Sequence, residues 1–323
     1  MAAKDQRPIG SGFGRNSEPQ DVLAGIDLSG KVAIVTGGYS GIGVETVRAL
    51  AGVGAEIVVP ARDHARAVAG LADVAGNVTI ASMDLADIAS VRHFAEQFAD
   101  AHDRLDILIN NAGVMACPPM QTAQGWEMQF GTNHMGHFAL ARALMPMLET
   151  TPGARVIALS STAHKLCDIR WDDPNWEEGE YNKWRAYGQS KTANALFAVG
   201  LNHRLAPSGG TANAVHPGGI VTPLQRHLQT EEMIAMGWLG PDGQVAESAK
   251  AMFKTPTQGC TTSLWAATSP MLDGKGGLYC EDCDIAEPST TESERFAKVD
   301  PYAIDPDSAE RLWNLSEKLL AAA

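Results

Sequence analysis

The sequence predicts a single α/β fold, a doubly wound parallel sheet of about seven strands with helices on both faces. Short apolar runs, typical of strands buried on both sides, recur along the chain, and helix-like segments separate them. Small and polar motifs directly follow these runs, where the carboxyl ends of parallel strands would meet. Strict alternation of strand and helix requires right-handed crossovers and therefore a parallel sheet.

The predicted elements follow one another without an internal linker. Strands are predicted at 32–35, 55–59, 78–82, 105–109, 155–159, 212–215 and 277–279. Helices are predicted at 44–50, 64–71, 88–102, 126–148, after the insertion 162–185, at 261–267 and at 306–320. Residues 222–257 show no strand pattern and are rich in Met, Gln, Glu and Gly, which predicts a lid over the site.

Composition and charge exclude several classes of protein. Of the 323 residues, 45% are hydrophobic, which is enough to form the core of one domain. We expect this domain at 29–323, preceded by an N-terminal arm at 1–28 that is mobile or wraps the surface. A net charge of -13 would repel a phosphate backbone, so we expect no nucleic-acid partner. No apolar run could span a membrane, no signal-type segment opens the chain, and the cysteine count of five is odd. These features predict a cytoplasmic protein.

The motif TGGYSGIG at residues 36–43 joins the first strand to a helix. Glycine allows a sharp bend and close approach of a ligand, and the helix N-terminus offers free N–H groups to a pyrophosphate. The pattern is typical of the dinucleotide-binding turn of a Rossmann sheet. A glycine-rich turn without a ligand remains the alternative if the motif is taken alone.

A pair of residues on a predicted helix has the chemistry of a general acid and base. Tyr187 and Lys191 are four residues apart and share one helix face. An ammonium beside a phenol favours the phenolate, so the tyrosine could exchange a proton near neutral pH. An exposed helix pair is the alternative. The strand-end motifs MDL, NNAG, SS and HPGG favour the catalytic interpretation.

The order T-G-x-x-x-G-I-G, N-N-A-G, Asn, Ser, Y-x-x-x-K, P-G resembles the short-chain dehydrogenase/reductase family over roughly 28–286. This resemblance implies an oxidoreductase that transfers a hydride between NAD(P) and a secondary alcohol or ketone, as a homodimer or homotetramer. NNAGVMACP, NHMGHF and the tail AERLWNLSEKL most resemble the retinol-dehydrogenase-like branch. Membrane-anchored members of that branch carry an apolar anchor that this chain lacks, so a retinoid substrate does not follow.

The resemblance also implies catalytic roles. Tyr187 would give or take the substrate proton, and Lys191 would lower its pKa and hold the nicotinamide ribose. Ser161, rather than Ser160, would hydrogen-bond the substrate oxygen. Asn133 would hold a water in the proton relay.

The cofactor contacts implied by the resemblance lie at the strand ends: the glycine loop for the pyrophosphate, MDL for the adenine and HPGG for the nicotinamide. They are Gly37, Tyr39, Ser40, Gly41, Ile42, Gly43, Arg62, Asp84, Leu85, Asn111, Ala112, Gly113, Tyr187, Lys191, Pro217, Gly218, Ile220 and Thr222. NAD enzymes place a carboxylate where this chain has Ala61, and Arg62 beside it suits a 2′-phosphate. We expect NADP(H), with NAD(H) possible because Asp63 is adjacent.

Two segments should border the substrate pocket, the insertion 162–185 and the lid 222–257. Their large apolar side chains are Trp171, Trp176 and Trp184 in the first and Met233, Met236 and Trp238 in the second. Such residues favour a bulky or hydrophobic alcohol or ketone. Packing of these rings against the sheet is the alternative.

Other functions explain less of the sequence. His134, His137 and His164 lack a carboxylate or cysteine at ligand spacing, and Cys280 and Cys283 lack a second pair, so no metal is expected. A non-enzymatic dinucleotide-binding regulator would not need the four catalytic residue types together. A sugar-nucleotide epimerase or dehydratase would usually carry T-G-x-x-G-x-x-G instead.

Overall fold

The computed structural model describes residues 5–250, 253–290 and 297–323. In this part the strands are β1 Val32–Val35, β2 Glu56–Ala61, β3 Val78–Ser82, β4 Ile107–Asn110, β5 Arg155–Leu159, β6 Thr211–His216, β7 Gly219–Ile220, β8 Phe253–Lys254, β9 Tyr279–Glu281 and β10 Asp284–Ile285. The α-helices are α1 Pro19–Val22, α2 Ile42–Gly52, α3 His64–Leu71, α4 Ile88–Ala101, α5 Met128–Phe130, α6 Gly136–Ala143, α7 Met145–Thr150, α8 Lys183–Leu205, α9 Thr230–Ala235, α10 Glu247–Lys250, α11 Pro256–Thr268 and α12 Pro306–Ala321. Outside the described residues lie 1–4 of the predicted arm, 251–252 of the predicted lid and 291–296 of the predicted domain.

Eight strands form one sheet in the order β10-β9-β6-β5-β4-β1-β2-β3. Every neighbouring pair is parallel except β9 and β10. The predicted doubly wound parallel α/β fold is therefore confirmed, with the short antiparallel β10 added beyond the expected seven strands. The remaining strands, β7 and β8, pair with each other in parallel. β8 lies inside the predicted lid, where no strand was expected because two residues leave no periodic pattern.

Alternate residues of the central strands enter two separate cores. Val32 and Ile34 of β1 pack with side chains of α4, α6, α8 and α12. Ala33 and Val35 pack on the other face with α2 and α11. Helices thus cover both faces of the sheet, as predicted. None of the helices in the described ranges is both long and apolar enough to cross a membrane.

The helix predicted at 126–148 is interrupted. It consists of α5, a π-helical turn Gly131–Met135, α6 and α7. Helix α7 restarts with Pro146 in its first turn, where the missing N–H is tolerated. The strand predicted at 277–279 instead begins at Tyr279. Gly277 has a left-handed φ of 74°, so the backbone is not extended at the predicted start of the strand.

The N-terminal arm wraps the surface and is fixed at the β9–β10 edge of the sheet. The Gln6 amide donates to the carbonyls of Tyr279 (2.7 Å) and Ala286 (2.6 Å) and accepts from the Tyr279 N–H (2.9 Å). The Asp284 carboxylate accepts the N–H groups of residues 9–11 at 2.9–3.2 Å. The division into an arm and one domain stays a prediction.

Candidate active site

A cleft of about 1270 Å³ lies at the carboxyl ends of the parallel strands. The predicted site residues that line it are Gly37, Tyr39, Ser40, Gly41, Ile42, Arg62, Asp84, Leu85, Asn111, Ala112, Gly113, Ser161, Tyr187, Lys191, Pro217, Gly218, Ile220 and Thr222. Gly43 and Asn133 are not among its lining residues and pack behind its walls. The strand-end motifs therefore meet in one place, as the parallel sheet requires.

The glycine loop needs glycine for two different reasons. Gly37 has a left-handed φ of 64°, which side chains other than glycine disfavour. A Cβ at Gly43 would lie 2.3 Å from the Gly37 carbonyl oxygen and 2.7 Å from Asn111 Nδ2. Gly43 thus packs beneath the loop and holds it against the end of β4.

Thr36 joins the glycine loop to β4 and to α6. Its Oγ1 accepts the N–H groups of Asn111 and Ala112, both at 2.9 Å, and lies 2.9 Å from His137 Nε2. Burial lowers the pKa of His137 to about 4, so the ring is neutral. His137 Nδ1 faces the Asn133 carbonyl at 2.9 Å and must carry the proton, so Nε2 accepts from the Thr36 hydroxyl. The sequence motifs contain Thr36 and His137 but gave no reason to pair them.

Asn133 lies in the π-helical turn and is completely buried. Its Oδ1 accepts the Val114 N–H at 2.8 Å, and its Nδ2 donates to the Val114 carbonyl and to Ser190 Oγ, both at 2.9 Å. The side chain therefore ties the loop after β4 to α8. Both amide hydrogens are used in this way, and the expected role in holding a water stays a prediction.

Tyr187, Lys191 and Ser161 share one wall of the cleft. Lys191 Nζ lies 5.5 Å from the Tyr187 ring centroid and donates to the Leu159 carbonyl at 2.9 Å. Burial lowers the pKa of Lys191 to about 8. Burial raises the pKa of Tyr187, opposed by a hydrogen bond with Ser161, so the expected lowering of the phenol pKa is not found. Burial outweighs the contribution of Ser161 here.

The two adjacent serines have different surroundings. Ser160 Oγ donates to the Lys191 carbonyl at 2.7 Å and is buried between β5 and α8. Ser161 lies on the cleft wall, accepts the Ala163 N–H at 3.1 Å and acts on the Tyr187 phenol, whose pKa it lowers against the effect of burial. Both serines line the cleft, but the hydrogen of the Ser160 hydroxyl is used by the Lys191 carbonyl, and the choice of Ser161 as the substrate contact stays a prediction.

An apolar cluster surrounds the Tyr187 ring. It consists of Met115, Ala116 and Leu228, with Ala163, Trp184, Leu224, Met233, Met236 and Trp238 partly buried against it. Of the predicted pocket residues, Trp184, Met236 and Trp238 line the cleft and Met233 belongs to this cluster. The prediction is wrong for the other two rings: Arg311 covers Trp171 and Arg170 covers Trp176, each with its guanidinium 4.2 Å from the ring centroid.

Three arginines from separate elements also line the cleft. Arg62 follows β2, Arg66 lies in α3 and Arg226 lies in the 3₁₀ helix Pro223–His227. Asp63, the acid beside Arg62, accepts the Arg66 N–H at 3.0 Å and caps α3. No motif marked Arg66 or Arg226, because they approach from elements that are distant in sequence.

Polar residues without a sequence signal form a further part of the wall. They include Arg15 of the arm and Lys165, Glu281 and Asp300. Burial raises the pKa of Glu281, whose carboxylate accepts the Lys298 N–H at 2.9 Å. The arm thus contributes to the cleft, which its composition did not indicate.

The histidines and cysteines considered as metal ligands have other surroundings. His134 Nε2 lies 2.8 Å from Ser316 Oγ, and His164 Nε2 accepts the Asp300 N–H at 3.0 Å. Cys280 and Cys283 are buried free thiols. In the described ranges no three His, Cys, Asp or Glu side chains are grouped to hold a metal ion. The absence of a metal stays a prediction.

Comparison with known families gives one family match. Residues 31–233 match the family model described as short chain dehydrogenase. A probable oxidoreductase of Streptomyces lividans is 43% identical over 92% of this chain and 100% of its own length. Human retinol dehydrogenase 14 is 34% identical over 91% of this chain and 87% of its own length.

Solved structures show the same fold. An uncharacterized protein from Mycobacterium paratuberculosis superposes with a TM-score of 0.69 at 33% identity, covering 91% of this chain and 95% of its own. The Pseudomonas aeruginosa RhlG/NADP active-site complex superposes with a TM-score of 0.59 at 25% identity, covering 79% and 95%. The second of these proteins was solved with NADP at its active site.

Proposed function

Because the chain belongs to the short-chain dehydrogenase family of oxidoreductases, we propose that it transfers a hydride between NADP(H) and a bulky, hydrophobic secondary alcohol or ketone. One observation carries this proposal. Ser161, Tyr187 and Lys191 share a wall of the cleft whose far end is formed by the glycine loop. A non-enzymatic dinucleotide-binding regulator would need the loop but not a serine, a tyrosine and a lysine together on this wall.

The residues present fit a nicotinamide dinucleotide, which supplies or accepts the hydride when bound. Gly41 is the N-cap of α2 and has no side chain to cap the first turn of that helix. The Gly43 N–H donates to the Ser40 carbonyl at 3.1 Å, and the other N–H groups of this turn would meet a pyrophosphate. Arg62 and Arg66 suit a 2′-phosphate, while Asp63 is already used as a helix cap. These features support NADP(H) over NAD(H), which stays possible.

Proton transfer falls to the Tyr187 phenol. Its raised pKa keeps Oη protonated at neutral pH, so it can donate a proton to a carbonyl oxygen as that oxygen gains charge. Ser161 Oγ, which lines the same wall, would donate a second hydrogen bond to that oxygen. Lys191, with a pKa of about 8, carries an ammonium at pH 7 that would stabilise the phenolate left behind. This arrangement supports Tyr187 as the proton donor when a carbonyl is reduced.

The substrate class follows from the apolar cluster around Tyr187. Trp184, Met236 and Trp238 line the cleft close to the phenol, and such side chains favour desolvation of an apolar substrate. A cytoplasmic location and a homodimer or homotetramer, which the family resemblance implied, stay predictions.

The proposal is tested with Tyr187→Phe and a panel of ketones and NADPH. We expect kcat to fall by at least ~100-fold, a typical loss for a general acid, while the Kd for NADPH changes little. Tyr302→Phe is the matched control, because its hydroxyl donates to the His164 carbonyl at 2.6 Å, outside the catalytic wall. Retention of more than about a tenth of the wild-type rate by Tyr187→Phe would contradict this role.

A further inference from the structure

Three guanidinium groups from separate elements converge on one end of the cleft. Arg62 follows β2, Arg66 lies in α3, and Arg226 lies in the described part of the predicted lid, residues 222–250, hereafter the lid. The Arg226 side chain donates to the Pro223 carbonyl of its own turn at 3.2 Å. None of the three arginines forms an ion pair with a carboxylate in the part of the chain that the structure describes.

The three positive charges act on one another. The pKa of Arg226 is lowered, first by the protein packed around it and then by Arg62 and Arg66. Tyr39 of the glycine loop lines the same cleft as Arg226. A cluster of like charges that repel is relieved by a bound anion, and arginine is suited to phosphate oxygens. The cluster therefore has the chemistry of a phosphate site, with arginines from both the sheet side and the lid.

The lid also forms the cover of the substrate pocket. Leu228, only two residues after Arg226, is buried against Tyr187. Its N–H donates to the Gln225 carbonyl at 2.8 Å, so Arg226 and Leu228 belong to one compact turn. Further along, Glu232 accepts the Trp184 Nε1–H at 3.0 Å and the Lys183 ammonium at 2.6 Å, which fixes α9 on α8.

We propose that Arg226 joins Arg62 and Arg66 in binding the 2′-phosphate, and that this contact stabilises the lid in the packed position over Tyr187 that it has in this structure. The inference rests on the proposed use of NADP(H). The 2′-phosphate then has two effects, selection of the cofactor and ordering of the substrate pocket before the substrate binds. Arg226 acts on the pocket only through the lid and is a positioning residue for catalysis.

The test uses two probes that differ only in the 2′-phosphate, adenosine 2′,5′-bisphosphate and 5′-AMP, with the full-length protein. Hydrogen exchange of the α9 amides reports the lid, and calorimetry reports affinity. In wild type we expect the bisphosphate, but not 5′-AMP, to slow α9 exchange by about tenfold, the effect of one hydrogen bond to a charged group. Arg226→Gln should abolish this slowing and weaken bisphosphate binding by about tenfold, without changing 5′-AMP binding.

The matched control is Lys250→Gln, which removes a lid charge paired with Glu247 at 2.5 Å outside the cleft lining. It should respond like wild type. Slowing of α9 exchange that persists in Arg226→Gln would overturn the coupling while leaving the NADP(H) proposal intact. Equal binding of the two probes by wild type would instead overturn the cofactor proposal itself. Equal weakening of both probes in Arg226→Gln would assign the arginine to the 5′-phosphate and also overturn the inference.

Discussion

Replacement of Thr36 by valine keeps the shape of the side chain and removes only its hydroxyl. That hydroxyl accepts two N–H groups, from Asn111 and Ala112, and donates to His137 Nε2, all at 2.9 Å. Thr36 and His137 are buried, so Nε2 would lose its partner without access to bulk water. The two N–H groups lie near the cleft and would regain part of their hydration.

From the penalty of a buried, unpaired polar group we expect Thr36→Val to lower the free energy of unfolding by about 2–4 kcal/mol. Urea unfolding monitored by circular dichroism measures this loss. Binding of NADPH should weaken in parallel, because 111–113 would lose their anchor on the glycine loop. Thr46→Val is the control, since this equally buried hydroxyl only donates to the Ile42 carbonyl of its own helix at 2.9 Å.

The control should lose less than about 1 kcal/mol, because the Ile42 carbonyl also belongs to the helix ladder. If Thr36→Val and Thr46→Val proved equally stable, the three contacts of Thr36 would not anchor the loop, and the assigned protonation of His137 would be wrong as well.

Three other outcomes are expected. Lys191→Met should raise the free energy of unfolding at pH 7 by up to ~3 kcal/mol, because burial lowers the pKa of Lys191 to about 8 in the folded protein. Between pH 8 and 10.5 only the unfolded lysine is protonated, so the stability of the wild type should rise relative to this variant as the pH increases. A difference in urea unfolding that stays constant with pH would contradict this. Arg62→Gln should raise the Kd for NADPH by about tenfold or more and leave that for NADH unchanged in fluorescence titrations, whereas equal changes would favour a general phosphate contact. With ketones of increasing size, wild-type kcat/KM should rise and Trp238→Ala should flatten the rise; a flat wild-type series would exclude the proposed pocket.

The arrangement of the cleft could be predicted because parallel strands all end at one edge of a sheet. Gly37, Asn111, Ser161 and Pro217 follow four different strands, and the sheet order alone brings them together. The spacing of Tyr187 and Lys191 likewise places both on one face of α8.

The rest of the site depends on contacts that no local pattern encodes. Arg226 is one of many charged residues in a segment without periodicity, and only the tertiary fold brings it opposite Arg62. Apolarity predicts that a ring is buried but not which surface buries it, so Trp171 and Trp184 could not be distinguished. The raised pKa of Tyr187 depends on complete burial, which sequence spacing does not report.

The contact of Gln6 with Tyr279 and Ala286 has a consequence for the order in which the chain can fold. These residues are separated by 273 and 280 positions, so the arm is synthesised first but finds its partners only when β9 and β10 have left the ribosome. Closing so long a loop is entropically unfavourable until the sheet between its ends exists. Docking of Gln6 should therefore be a late event of folding, and a nascent chain shorter than 286 residues would leave this end of the arm without its partner at Ala286.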